Sequence, residues 1–159
     1  MYRRTPGFTL VEILIVVIIL GILAAIVIPN VTGFTTTSRE SNLKENIALI
    51  RANIQVYRNQ HAGFPDPDRF RDQMTKATNF AGDTANVRSA EFRFGPYVDQ
   101  MPANPITGLA DIRAAADPSD LLPPGDADGG WWYNPVTGRF SADLTDGYVD
   151  QDGLRYNEY

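Results

Sequence analysis

One uninterrupted apolar run near the start constrains this chain more than any other feature. From Phe8 to Ile28 there are 21 residues, 16 of them Phe, Leu, Ile or Val, and only Thr9 and Glu12 are polar. As a helix the run spans about 30 Å, the thickness of a bilayer core. At about −0.3 to −0.6 kcal/mol for each large apolar residue, it contributes on the order of −5 to −10 kcal/mol to insertion, against about +3 for an acid at mid-membrane. The segment is therefore expected to insert in spite of Glu12. Arg3 and Arg4 precede it and an acidic region follows, which puts the N-terminus in the cytoplasm and the remainder across the membrane.

The 159 residues suffice for one compact domain and an appendage. Of 14 basic and 19 acidic side chains, Arg3, Arg4 and Glu12 lie at or before the apolar run. Beyond it the balance is (14 − 2) − (19 − 1) = −6. Such a domain repels phosphate backbones, so no nucleic-acid partner is expected. With no cysteine and a single histidine, His61, there is neither a disulfide nor a thiolate or multi-histidine metal site. Phosphate-cradling loops, nucleophile elbows and paired metal-binding histidines are missing too, and no enzymatic activity is expected. Asp66, Asp68 and Asp72 sit in a proline-broken stretch that reads as a solvated loop rather than a catalytic carboxylate pair.

Leu43, Ile47, Ile50, Ile54 and Tyr57 recur at spacings of 4, 3, 4 and 3, one apolar stripe on a helix expected to end near Gln60. Gly63 and Pro65 are its stop signals. Short helices, loops and turns are expected from Pro65 to Ser119. Gly130-Trp131-Trp132-Tyr133 and Arg139-Phe140-Ser141-Ala142 flank Asn134-Pro135-Val136-Thr137-Gly138, which predicts two strands joined by a five-residue turn. The fold class is α+β: a long N-terminal helix, half membrane-embedded and half amphipathic, packed on a small C-terminal antiparallel sheet. The three strand aromatics, Trp131 to Tyr133, are expected to pack rather than to stack a ligand.

Gly7-Phe8-Thr9-Leu10-Val11-Glu12, followed by Ile13 to Val17 and later Pro29, resembles the N-terminus of type IV pilins and pseudopilins. Gly95-Pro96-Tyr97-Val98 and Met101-Pro102-Ala103-Asn104-Pro105 resemble the linker of the major, G-type pseudopilins of type II secretion. The resemblance implies a leader over residues 1–7, cut by prepilin peptidase between Gly7 and Phe8, and N-methylation of Phe8. It implies a transmembrane and fibre-core helix over 8–29, an amphipathic half over 30–62 and a globular domain over 63–159. Glu12 would set subunit register by pairing with the Phe8 amine of a neighbour. Its own Phe8 amine, four residues away on the same helix, is the competing partner. Gly21 and Pro29 are poor helix-interior residues and mark a helix hinge, with simple tolerance in a membrane helix as the other reading.

Asp143, Asp146, Asp150 and Asp152 alternate with Gly147 and Gly153 and offer hard oxygen ligands. Major pseudopilins carry a calcium site in this region, and the stretch is similar in character without matching a ligand pattern position by position. The region thus suits Ca²⁺, with a solvated acidic loop as the alternative, and no cofactor is required. Asp126 and Asp128 form a second acidic turn, expected to be exposed. The implied function is that of a structural subunit of the type II secretion pseudopilus, which drives protein export. Its implied partners are further copies of itself, minor pseudopilins, prepilin peptidase and an inner-membrane assembly platform. Its place is the bacterial inner membrane, single-pass, with the domain outside the cytoplasm. A type IV pilus subunit for adhesion, motility or DNA uptake is the alternative. A membrane-tethered binding module or enzyme, or a secreted one cut after Ala24 or Ala25, is the alternative of another class.

Overall fold

The computed structural model describes residues 7–150 and 152–159, the side chains of 26–35 excepted. The expected leader therefore lies outside the described residues save for Gly7, and so does the side chain of Pro29. The chain divides into two compact units, Met1–Ser38 and Arg39–Tyr159.

Helix α1 covers Leu10–His61, 52 residues, and runs unbroken through Gly21 and Pro29. In the first unit its described large apolar side chains all face outward, from 48% exposed at Val16 to 84% at Leu10. Such a surface has no apolar partner among the described residues of its own unit. Among the described residues no helix is long and apolar enough to cross a membrane. The expected span over 8–29 includes side chains 26–29, which lie outside that description.

In the second unit α1 is amphipathic, and Leu43, Ile47, Ile50, Ile54 and Tyr57 are all buried, as their spacing predicts. The four aliphatic residues meet Phe70, Met74, Trp131, Tyr133, Phe140 and Leu144 in one apolar core, while Tyr57 packs against His61 and Tyr97. The helix ends one position earlier than its glycine suggests. Ala62 takes the left-handed conformation at φ 57°, and Gly63 does not. His61 fastens this end. Its ring stacks on Tyr57 with centroids 3.9 Å apart, Nδ1 donates to the Tyr57 carbonyl at 3.0 Å, and Nε2 lies 3.0 Å from the Thr78 hydroxyl.

A 3₁₀ turn, Pro67–Arg69, and helix α2, Phe70–Thr75, follow. Asp66 caps the turn by accepting from the Asp68 amide at 2.9 Å, and Asp72 pairs with Lys76 at 2.8 Å, which accounts for two of the three acids of this stretch. Strands β1 (Ala77–Thr78) and β2 (Thr84–Ala85) form a short antiparallel ladder. The main sheet has the order β3 (Ile112–Ala114), β4 (Trp131–Tyr133), β5 (Phe140–Ala142). The β4–β5 hairpin is antiparallel, with Tyr133 opposite Phe140, as predicted. β3 joins it in parallel, with Ile112 opposite Trp131, so the sheet is mixed rather than purely antiparallel.

Two turns with a shared sequence form organise the loops around this sheet. Asn104-Pro105-Ile106-Thr107-Gly108 and Asn134-Pro135-Val136-Thr137-Gly138 each begin with a fully buried asparagine. The asparagine carbonyl accepts from the glycine amide four residues on, at 2.7 and 2.9 Å, and its side-chain oxygen accepts the amide two residues on, at 2.9 Å in both. Each carboxamide nitrogen also reaches outward, Asn104 to the Gly130 carbonyl at 2.8 Å and Asn134 to the Asp120 carbonyl at 2.8 Å. Self-bonding asparagine followed by proline and a left-handed glycine is a self-contained turn, so two copies pin two loops onto β4.

Candidate functional site

At the head of α1, Thr9 and Glu12 share three hydrogen bonds, one of them from the Thr9 hydroxyl to the Glu12 carboxylate at 3.2 Å. The Thr9 amide donates to the Glu12 carboxylate at 3.1 Å, and the Glu12 amide donates to Thr9 Oγ1 at 3.3 Å. This is a capping box, with threonine at the N-cap and glutamate at the third helical position. Thr9 is a residue the sequence reading passed over, although the T-x-x-E spacing ahead of an apolar run signals it. The carboxylate thus has partners within its own chain when the leader is still attached.

Phe8 is 78% exposed, and a β-carbon built on Gly7 or Gly21 would meet nothing within 4 Å. Neither glycine is demanded by a contact in this chain. Gly7, Phe8 and Glu12 lie within six consecutive residues, and the acidic C-terminal residues form a separate group in the other unit.

There Asp143 is 2% exposed and bound by the Arg113 guanidinium, which also reaches Asp126 at 2.8 Å. Burial raises the pKa of Asp143, and Arg113 offsets this only in part. Burial likewise disfavours the Arg113 charge, yet its bonds to Asp126 and Asp143 outweigh that and raise its pKa, while Asp126 is lowered by Arg113. Asp146 pairs with Arg155 at 2.8 Å and accepts from Asn157 at 3.0 Å. Asp150 accepts from the Tyr159 hydroxyl at 2.7 Å and from the Asp152 and Leu154 amides at 2.9 and 2.8 Å. Asp152 itself is exposed. Three of the four expected calcium ligands therefore point to separate partners, and the fourth is exposed. Among the described residues no group of three or more acids or histidines is placed to hold a metal ion. This donor set does not fit a calcium site. Asp126 and Asp128 are exposed as expected, and Asp128 accepts the Thr145 amide at 3.0 Å.

Trp131, Trp132 and Tyr133 are buried to within 1%. Trp131 Nε1 donates to the Pro102 carbonyl at 2.8 Å and the Tyr133 hydroxyl to the Pro65 carbonyl at 2.9 Å, so these aromatics serve the core.

A helix with an exposed apolar head and a capped single acid, continuing into a small α+β domain, defines the pilin-like class. The prokaryotic N-terminal methylation motif matches residues 2–28. The chain is 30% identical over 103 residues to the type II secretion system core protein G of Pseudomonas aeruginosa, covering 65% of this chain and 69% of that protein. It is 28% identical over 103 residues to the core protein G of Aeromonas hydrophila, covering 65% of this chain and 68% of that one. The chain belongs to the type II secretion system core protein G family. It is also 36% identical over 114 residues to the type IV major pilin PilA of Myxococcus xanthus, covering 72% of this chain and 44% of that pilin. No solved structure matches the chain.

Proposed function

We propose that this chain is a structural, non-enzymatic subunit of the type II secretion pseudopilus. It is made as a precursor, cut by prepilin peptidase between Gly7 and Phe8, methylated at Phe8 and polymerised through its N-terminal helix. The observation that carries this is the part of α1 in the first unit, whose described large apolar side chains are exposed around one acid, Glu12. Once the helix has left the lipid, burial against like helices keeps this surface out of water, whose contact would cost about 25 cal/mol for each Å² exposed. Held first by Thr9, the Glu12 carboxylate passes to the amine that cleavage creates on Phe8 of a neighbour, because an unpaired carboxylate in that core costs several kcal/mol. Gly21 and Pro29 supply the hinge that lets the helix adjust on packing. The precursor is anchored in the inner membrane with Arg39–Tyr159 outside the cytoplasm, and minor pseudopilins and an assembly platform are its partners.

The test is a Glu12→Ala chain expressed in its own host. It should be cut and methylated normally yet yield no fibre and no protein export. Export at the wild-type level from this variant would contradict the reading. The identity to the Myxococcus pilin favours a second reading, a type IV pilus subunit. Loss of surface pili with export intact, on deleting the gene, would select it.

A further inference from the structure

Calcium takes six to eight oxygen ligands at about 2.3–2.6 Å, so several carboxylates must turn toward one point. In the C-terminal region, where the family resemblance implies such a site, Asp143 and Asp146 turn toward this chain's own arginines instead. Arg113, from β3, holds Asp143 and Asp126. Arg155 holds Asp146 at 2.8 Å and Glu158 at 2.5 Å. Lys44, from α1, lies 3.9 Å from Asp150 and 4.4 Å from the Tyr159 ring centre, and the Tyr159 hydroxyl completes the Asp150 set.

We propose that Arg113 and Arg155 close the C-terminal region in place of a metal ion, so that this chain folds, and its fibre assembles, independently of calcium. The assembly half rests on the fibre reading above, and the folding half does not.

The glycine-rich loop over 125–130 supports the assignment. A β-carbon on Gly129 would lie 2.7 Å from Asp143 Oδ2, and one on Gly125 would lie 2.6 Å from Asp146 Oδ1. The loop backbone therefore lies close against one oxygen of Asp143 and one of Asp146, the oxygens that the two arginines do not bind. Asp111 and Asp126 both raise the cost of charge on Asp143, and Arg113 is the cation among them. A guanidinium is permanently charged and presents several donors in a fixed plane, so it can bridge two carboxylates much as an ion does. A calcium ion entering this cluster must first displace a group of its own sign. Removing Arg113 would leave Asp143 buried without its partner, a costly state.

The experiment uses the full chain in detergent, melted in EGTA and in millimolar calcium, with R113Q and R155Q alongside. The wild-type melting temperature should be the same in both buffers. R113Q should melt several degrees lower in both, and failure of R113Q to fold in either buffer is the same result in its extreme form. A calcium-dependent rise for the wild type would overturn the proposal. A site filled at a hundredfold excess over its dissociation constant gives a rise on the order of ten degrees. An unchanged melting temperature for R113Q would overturn it as well. Fibres that form only with calcium contradict the proposal, whereas no fibres under either condition counts against the fibre reading alone.

Discussion

Thr9 and Glu12 cap the start of α1 reciprocally, each side chain accepting the other's backbone amide at 3.3 and 3.1 Å. Thr9→Ala removes the hydroxyl acceptor and should cost the helix start about 0.5–2 kcal/mol. Amide exchange of residues 10–13 in micelles should then accelerate, while exchange beyond Arg39 stays unchanged. Equal acceleration in both units would mean that the box stabilises more than the helix head.

Gly138 ends the hairpin turn at φ 72°, and a β-carbon there would lie 2.2 Å from the Phe64 ring. Gly138→Ala should therefore destabilise the domain by about 2–4 kcal/mol, combining left-handed strain with overpacking. Denaturant titration should show a lower midpoint with an unchanged slope. Gly108, left-handed in the matching turn but with open space around it, should cost less on the same substitution.

Ala62 holds φ 57° at the end of α1, a conformation disfavoured for any residue with a β-carbon. Ala62→Gly should stabilise the domain by about 0.5–1 kcal/mol. The same denaturant midpoint measures it, and a decrease would show that the alanine methyl supplies more packing than its strain costs.

Acid should unfold the domain through named carboxylates. Ser119 lowers the pKa of Asp117, Arg113 that of Asp126, Thr145 that of Asp128 and Tyr159 that of Asp150, all below the ordinary 3.8. A group depressed on folding contributes stability that is present above its unfolded pKa and is lost as pH falls through the folded one. Asp143 has the opposite sign, because its pKa is raised chiefly by burial, so its contribution is lost as pH rises. Through the four depressed carboxylates the melting temperature should fall between about pH 5 and about pH 2, with Asp143 working against that fall. Asp150→Asn should flatten part of that fall.

Local periodicity made much of the fold legible. The stripe from Leu43 to Tyr57 names the buried face of α1 because a helix repeats every 3.6 residues, and the paired runs around Asn134–Gly138 name the β4–β5 hairpin. What escaped depends on long-range partners. Ile112–Ala114 is too short to show alternation, and its parallel place beside β4 comes from the Asp111 carbonyl accepting the Trp131 amide at 2.9 Å and the Tyr133 carbonyl accepting the Ala115 amide at 2.8 Å. The left-handed cap fell on Ala62 although Gly63 is adjacent, because tertiary fixing of His61 overrides local preference. Thr9 and the repeated Asn-Pro-x-Thr-Gly turn were legible in principle, one through capping-box spacing and the other through self-similarity. The C-terminal aspartates show the converse limit. Their spacing reveals charge, whereas the arginines that bind them come from Arg113 on another strand and Arg155 past the acidic run.

The most direct test of the central claim is intact-mass and N-terminal peptide mass spectrometry of the chain from its native envelope. A mature chain beginning at N-methylated Phe8 is the predicted result. A chain that keeps residues 1–7, or begins after Ala24 or Ala25, would contradict it and make this a tethered or secreted protein.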